Sequence, residues 1–350
     1  MLNYEEFKCR VGEIMFKSEL LQSSDISNEL QKVEDELQKL TESKFSLLYR
    51  ISNRLLQAGG KRLRPLLVLL AGRLSRLDLT EQLIPAASSV ELIHMATLIH
   101  DDIIDDSTHR RGETTVNKDW GNTVAVLSGD LLYTRALKQL TKYETQDLLV
   151  YMLDVVALIC EGEAKQAVTN YDLDQSLEDY LERITKKTAL LISASCKLGA
   201  MVSGASEEQI VAMETYGEQL GIAFQIINDL NDVVAEKDDL GKEPGDDLRQ
   251  GTLTLPMIFA LEAAEDSDFL AEVIAKQENS TQEIERALEI IRSSGAVESS
   301  IEFSQQYIDS ALECLELFAD SAAKNSLQLI AQNVINSYKG LKPLEVGAEG

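Results

Sequence analysis

Apolar side chains recur along most of this chain at intervals of three and four residues, and strict alternation is hard to find. That period belongs to the α-helix and predicts an all-α fold. From Asp25 a stripe of Ile26, Leu30, Val33, Leu37 and Leu40 predicts an amphipathic helix. Its 4-3-4-3 spacing is heptad-like, but too few heptads follow for a free coiled coil, so the helix is expected to lie on its own domain. Gly59-Gly60 breaks the pattern, and Pro65 suits the first turn of a helix over 66–77. Further helices are predicted over 84–104, 121–140, 146–168 and 181–198, and again over 257–264, 281–293, 296–318 and 323–338. Residues 237–256, rich in glycine, proline and charge, read as a long ordered loop. Residues 1–24 form an arm or short helix, 25–340 one helical domain, and 341–350 a frayed tail.

Composition narrows the functional classes. The chain has 350 residues, enough to bury a sizeable core, and no shift in composition marks a domain boundary. A net charge of −26, spread over most of the chain, argues against a nucleic-acid partner and for a soluble cytoplasmic protein. The four cysteines form no CxxC pair, so neither a zinc site nor a disulfide framework is indicated. The N-terminus lacks the layout of a signal peptide. The apolar tract 148–160 is interrupted by Asp154 and is too short for a transmembrane segment.

The candidate chemistry centres on LIHDDIIDDSTHRRG at 98–112, with Asp101, Asp102, Asp105 and Asp106 in six residues. On a helix Asp101 and Asp105 share one face, and His94 lies two turns earlier on the same side. A second region, FQIINDLND at 224–232, repeats the geometry with Asn228 and Asp232, and Asp229 beside them. Three basic points accompany these walls: Lys61, Arg62 and Arg64 behind the glycine turn, Arg110-Arg111, and Lys186-Lys187 before Thr188. A charge run is usually a solvated helix face, and a lone histidine is usually structural, which is the reading kept for His100 and His109. Two matched walls flanked by basic clusters fit better with Mg2+ ions, several per site, that bridge carboxylates to a diphosphate. No nucleotide-binding P-loop and no Ser-His-Asp arrangement is present.

In their order these motifs resemble the trans-isoprenyl diphosphate synthases, the polyprenyl synthetase family: GGKRLRP at 59–65, the DDxxD element at 101–105 with Arg110-Arg111-Gly112, Lys187-Thr188, Phe224-Gln225, and the GK…GDDL…TLP run. The resemblance implies an all-α bundle around a deep cavity, a homodimer, and Mg2+-dependent head-to-tail condensation of isopentenyl diphosphate with an allylic diphosphate. It assigns Lys61, Arg64, His94 and Arg111 to isopentenyl diphosphate. Asp101 and Asp105, with Asp102 in support, fall to Mg2+, facing Asn228 and Asp232 on the second wall. Arg110, Lys187 and Lys242 fall to the allylic diphosphate, and Thr188 and Gln225 place oxygens near the developing cation. Two positions depart from the family pattern. Asn228 stands where an aspartate is usual, and Thr252 where lysine is common.

The residues one turn before the first acidic motif, Ala96 and Thr97, are small and leave the passage for a growing chain open. A medium or long product follows, with a floor near Tyr151, Met152 or Val155, and its apolar chain brings a peripheral membrane contact at release. Two other activities compete: a terpene cyclase, which needs no second diphosphate site, and a non-catalytic or weakly active subunit of a hetero-oligomeric synthase, which Asn228 favours. An acidic helical scaffold would have to treat both walls and the basic clusters as accident.

Overall fold

A computed structural model describes residues 24–58, 62–76, 79–110, 113–234 and 244–338. The expected N-terminal arm and frayed tail lie outside the described residues. What is described is helical almost throughout, with one two-stranded hairpin.

Helix α1, Ser24–Thr41, buries Ile26, Val33 and Leu37 of the expected stripe against the rest of the chain. Helix α2 is Ser46–Gln57, and α3, Leu63–Ser75, starts earlier than Pro65 suggests because Leu63 already has its side chain in the core. Pro65 still falls in the first turn, where backbone N–H groups have no partner inside the helix. Helix α4, Thr80–Ile104, carries the first acidic wall at its C-terminal end. It is the one described helix long and apolar enough to cross a membrane, yet 72% of that window is buried within the protein. The hairpin pairs β1, His109–Arg110, with β2, Glu113–Thr114, in antiparallel register.

After α5, Val116–Trp120, helices α6, Asn122–Leu140, and α7, Asp147–Thr169, follow close to their expected limits. The next stretch differs from expectation. The Lys186-Lys187 pair does not open a helix. It sits inside a continuous helical path of α8, Leu177–Ile184, a π turn, Thr185–Ala189, and α9, Leu190–Val202. Ser176 and Asp179 start that path with a reciprocal capping box, which the helical period alone does not reveal. Helix α10, Glu207–Val234, carries the second acidic region. Part of the expected loop is helical, as α11, Asp246–Gln250, and α12, Leu255–Ala263, takes Pro256 into its first turn. The chain continues with α13, Ser267–Ala275, which the sequence reading left out, then α14, Thr281–Ser293, α15, Ala296–Cys314, and α16, Ala322–Asn336.

Two apolar clusters hold the bundle together. One surrounds α10 with Tyr216, Leu220 and Ile226 and takes in α12, α14, α15 and α16; the other surrounds α4 with Val90, Ile93 and Ile99 and takes in α6 and α7. Helices α3 and α9 feed both, since Leu66 and Ile192 face the first cluster while Leu69 and Leu191 face the second. Helices apolar all round belong in an interior, and these two form the spine between the clusters.

A glycine lets α10 close on the π turn that leads into this spine. A Cβ at Gly221 of α10 would stand 2.5 Å from the Cα of Ala189, the last residue of the π turn. Gly221→Ala therefore forces α10 away from the turn. Overpacking of this kind costs about 1–3 kcal/mol, so urea denaturation is expected to show that loss of stability.

Candidate active site

The first wall forms where α4 runs out. Asp101 lies in the last turn, and Asp105 is the residue that ends the helix, its N–H bonded to the Asp101 carbonyl at 2.8 Å. The next residue, Asp106, has φ +47, which turns the chain into the hairpin. Asp102 points inward instead: it is buried, and its Oδ1 accepts from Arg110 Nε at 2.7 Å. Its carbonyl accepts from the amide of Asn117 at 3.1 Å. The Asp102–Arg110 pair thus locks the hairpin onto the helix, leaving Asp101 and Asp105 as the open carboxylates of the motif.

Asp101 is electrostatically crowded. Burial first, then the carboxylates of Glu163 and Asp105, push its carboxyl up to about 7, against the opposing pull of Lys187 and Arg110. Lys187 reaches this wall from the π turn, donating to Glu163 Oε2 at 3.3 Å and Gln166 Oε1 at 3.2 Å. Burial works against its charge, but Glu163, Asp101 and Asp105 outweigh that and raise its pKa. A π turn in place of α-helix is a frequent mark of a functional segment, and here it turns Lys187 and Thr188 to different neighbours.

Thr188 faces α10. Its hydroxyl donates to Gln225 Oε1 at 2.8 Å, and Gln225 Nε2 donates to Asp229 Oδ1 at 2.7 Å. Tyr180, fully enclosed, donates its hydroxyl to the other oxygen, Asp229 Oδ2, at 2.7 Å. Burial raises the carboxyl of Asp229, while those two hydrogen bonds hold it down. Asn228 beside it is exposed. Asp232 is buried one turn further on, where its Oδ2 accepts from the Asp247 N–H at 3.1 Å and its carbonyl accepts from the Gly245 N–H at 3.0 Å. So Asp232 anchors the start of α11, and the second region presents a different surface from the open first wall.

Arg64 and His94 are half-buried, while Lys61, Arg111 and Lys242 lie outside the described residues. Arg62 is described, and it is a brace. Its backbone is left-handed (φ 47, ψ 35), and its guanidinium binds Glu34 of α1, Glu91 of α4 and the Leu56 carbonyl of α2. Among the other histidines, His100 packs against Tyr133 and bonds the Val126 carbonyl of α6 at 3.3 Å, and His109 is exposed on the hairpin.

The sequence pointed to Asp101, Asp105, Arg110, Lys187, Thr188 and Gln225, and the fold gathers them around the C-terminal end of α4, the π turn and α10. It did not give roles to Glu163, Gln166 or Tyr180. The first two were legible as polar residues closing an apolar helix; Tyr180 carried no local signal. Among the described residues no three His, Cys, Asp or Glu side chains form a closed metal cage. The carboxylates crowding Asp101 are nonetheless hard oxygen donors, suited to a divalent ion that completes its shell with water and phosphate oxygens.

A helical bundle that gathers a carboxylate wall, two cations and a polar relay suits a ligand bearing phosphates together with divalent ions. The polyprenyl synthetase family profile matches residues 45–291, and the chain belongs to that family. The heptaprenyl diphosphate synthase component 2 of Geobacillus stearothermophilus is 38% identical over 308 residues, 88% of this chain and 95% of that one. A decaprenyl diphosphate synthase from Rhodobacter capsulatus superposes with a TM-score of 0.85 at 33% identity, covering 91% of this chain and 98% of the other. A polyprenyl synthase from Caulobacter crescentus, solved with calcium and isoprenyl diphosphate, gives 0.85 at 32% identity, covering 91% and 97%.

The Arg62 brace is open to a direct stability test. Arg62→Met leaves Glu91, whose side chain is 4% exposed, without its cation. An uncompensated buried charge of this kind costs about 3 kcal/mol, and the midpoint of urea unfolding should fall accordingly.

Proposed function

We propose that this chain condenses isopentenyl diphosphate head-to-tail with an allylic diphosphate, in a Mg2+-dependent reaction, to a medium or long polyprenyl diphosphate. Family membership across residues 45–291 carries the reading, supported by relatives that make long prenyl chains. Asp101 and Asp105 would hold Mg2+, which when bound supplies Lewis-acid stabilisation of the departing diphosphate. Lys187 and Arg110 contribute fixed positive charge to the same diphosphate, to which Lys242 is also assigned. Lys61, Arg64, His94 and Arg111 serve isopentenyl diphosphate. Thr188 and Gln225 set oxygens beside the carbon that becomes cationic. In this scheme the protein acts by positioning and by charge already in place before the bond breaks.

Exposed apolar side chains on two successive helices, Leu127 of α6 with Val150 and Leu153 of α7, suit a second copy of the chain. A second reading has specific support as well. Both Geobacillus stearothermophilus and Bacillus subtilis relatives are named as component 2 of a heptaprenyl diphosphate synthase, and Asn228 brings no charge to an exposed position. On that reading the chain is one subunit of a hetero-oligomeric synthase, and the apolar surface belongs to a different partner.

Purified protein incubated with Mg2+, labelled isopentenyl diphosphate and farnesyl diphosphate separates the two. A ladder ending in one long prenyl diphosphate supports the first reading; folded protein without incorporation for any allylic primer supports the second. A cyclised hydrocarbon from the allylic diphosphate alone would instead reveal a terpene cyclase.

Two substitutions test the parts. Asn228→Asp adds a carboxylate to the exposed position, so the Mg2+ concentration for half-maximal rate should fall severalfold. The passage expectation also becomes more specific. Ala96 is fully enclosed in the core around α4, so a ring there would overpack it. Thr97 shares the face of His94 and Asp101, is only half-buried, and bonds its hydroxyl back to the His94 carbonyl at 2.9 Å. Thr97→Phe is therefore expected to shorten the product on chromatography, and an unchanged product would remove Thr97 from the passage.

A further inference from the structure

The second acidic region holds an aspartate whose two oxygens are both taken by protein groups. Asp229 accepts from Tyr180 on one side and from Gln225 on the other, each at 2.7 Å, and it is buried. We propose that Asp229, held by Tyr180, is a positioning residue that fixes which end of the Gln225 carboxamide meets Thr188. The proposal rests on the reading above that Thr188 and Gln225 border the reacting allylic carbon, and it says what sets their polarity.

A carboxamide has two faces of nearly equal shape, one that donates and one that accepts. An ionised carboxylate only accepts, so Asp229 takes the Nε2 end of Gln225 and leaves Oε1 for Thr188. Thr188 then spends its single hydroxyl proton on Gln225, and its remaining oxygen lone pairs are what it can show a substrate. Turned the other way, Gln225 would donate to Thr188 and the hydroxyl proton would be released to point elsewhere, including at the reacting carbon. A developing cation is stabilised by the first arrangement and repelled by the second. Tyr180 matters because it is a phenol with its proton already committed: it satisfies Asp229 Oδ2 without offering a competing acceptor to Gln225. The negative charge thus sits two hydrogen bonds from Thr188 and determines the direction of every dipole in between.

The opposing possibility is that Asp229 acts as a metal ligand, and the two roles respond differently to Mg2+. The full-length chain, Asp229→Asn and Tyr180→Phe are compared by steady-state prenyl transfer with Mg2+ and each diphosphate varied in turn. In the positioning role, Asp229→Asn lowers kcat about 100-fold, the scale of losing one preorganised polar group. KM for both diphosphates and the half-saturating Mg2+ concentration stay where they were. Tyr180→Phe keeps the charge but loosens it, and lowers kcat by a smaller factor with the same constancy. Recovery of kcat in Asp229→Asn at high Mg2+ overturns the proposal in favour of a ligand, and an unchanged kcat in either variant overturns it outright. Should Asp229→Asn fail to fold, Tyr180→Phe decides by the same split between kcat and KM. A wild-type chain without turnover defeats the underlying prenyltransferase reading, and the proposal with it.

Discussion

Helix α10 runs past the π turn at backbone distance, and the polar groups around Gln225 depend on that approach. Gly221 faces Ala189 with no room for a side chain between them. Gln225 lies one turn beyond Gly221 on α10, and Thr188 immediately precedes Ala189, so the same contact that closes the two helices also brings their side chains into hydrogen-bond range. Helix propensity alone would disfavour glycine inside a 28-residue helix. The close approach it permits offsets that cost.

The two acidic regions look alike as sequence and differ as structure. In the first, Asp102 is buried to clamp the hairpin through Arg110, and Asp101 and Asp105 remain to face Glu163 and Lys187. In the second, both aspartates are engaged: Asp229 orders the Tyr180–Gln225–Thr188 chain, and Asp232 anchors the turn into α11. The position left open is Asn228, which is neutral. Charge repulsion gives a reason for such a division. Burial, joined by the Glu163 and Asp105 carboxylates, pushes the Asp101 carboxyl up to about 7, and a site of this kind can tolerate only so much uncompensated negative charge.

Arg62 shows how far positioning extends from the chemistry. It sits between Lys61 and Arg64 in sequence, in a run of three cations that favours anion binding. Its guanidinium instead ties α1, the end of α2 and α4 together, one turn before His94. That brace fixes the chain where α3 begins, one residue before Leu63 enters the core.

The helical period was enough to establish an all-α protein, because burial of one face of each helix follows directly from the spacing of apolar residues. Residue type also determined the chemistry on offer: DDxxD on a helix, a glycine turn before cations, and Lys-Thr beside an amide. Local sequence could not say which of several identical carboxylates turns inward, since Asp101 and Asp102 differ only by a rotation about the helix that tertiary packing selects. Nor could it reveal the π turn at 185–189, a shift in hydrogen bonding that α7, α8 and α10 hold in place from outside. Tyr180 acquired its part only because the fold buried its hydroxyl against a charge from a helix 49 residues away. Sequence determined which groups this protein has, and tertiary structure decided which of them remain free to meet a substrate.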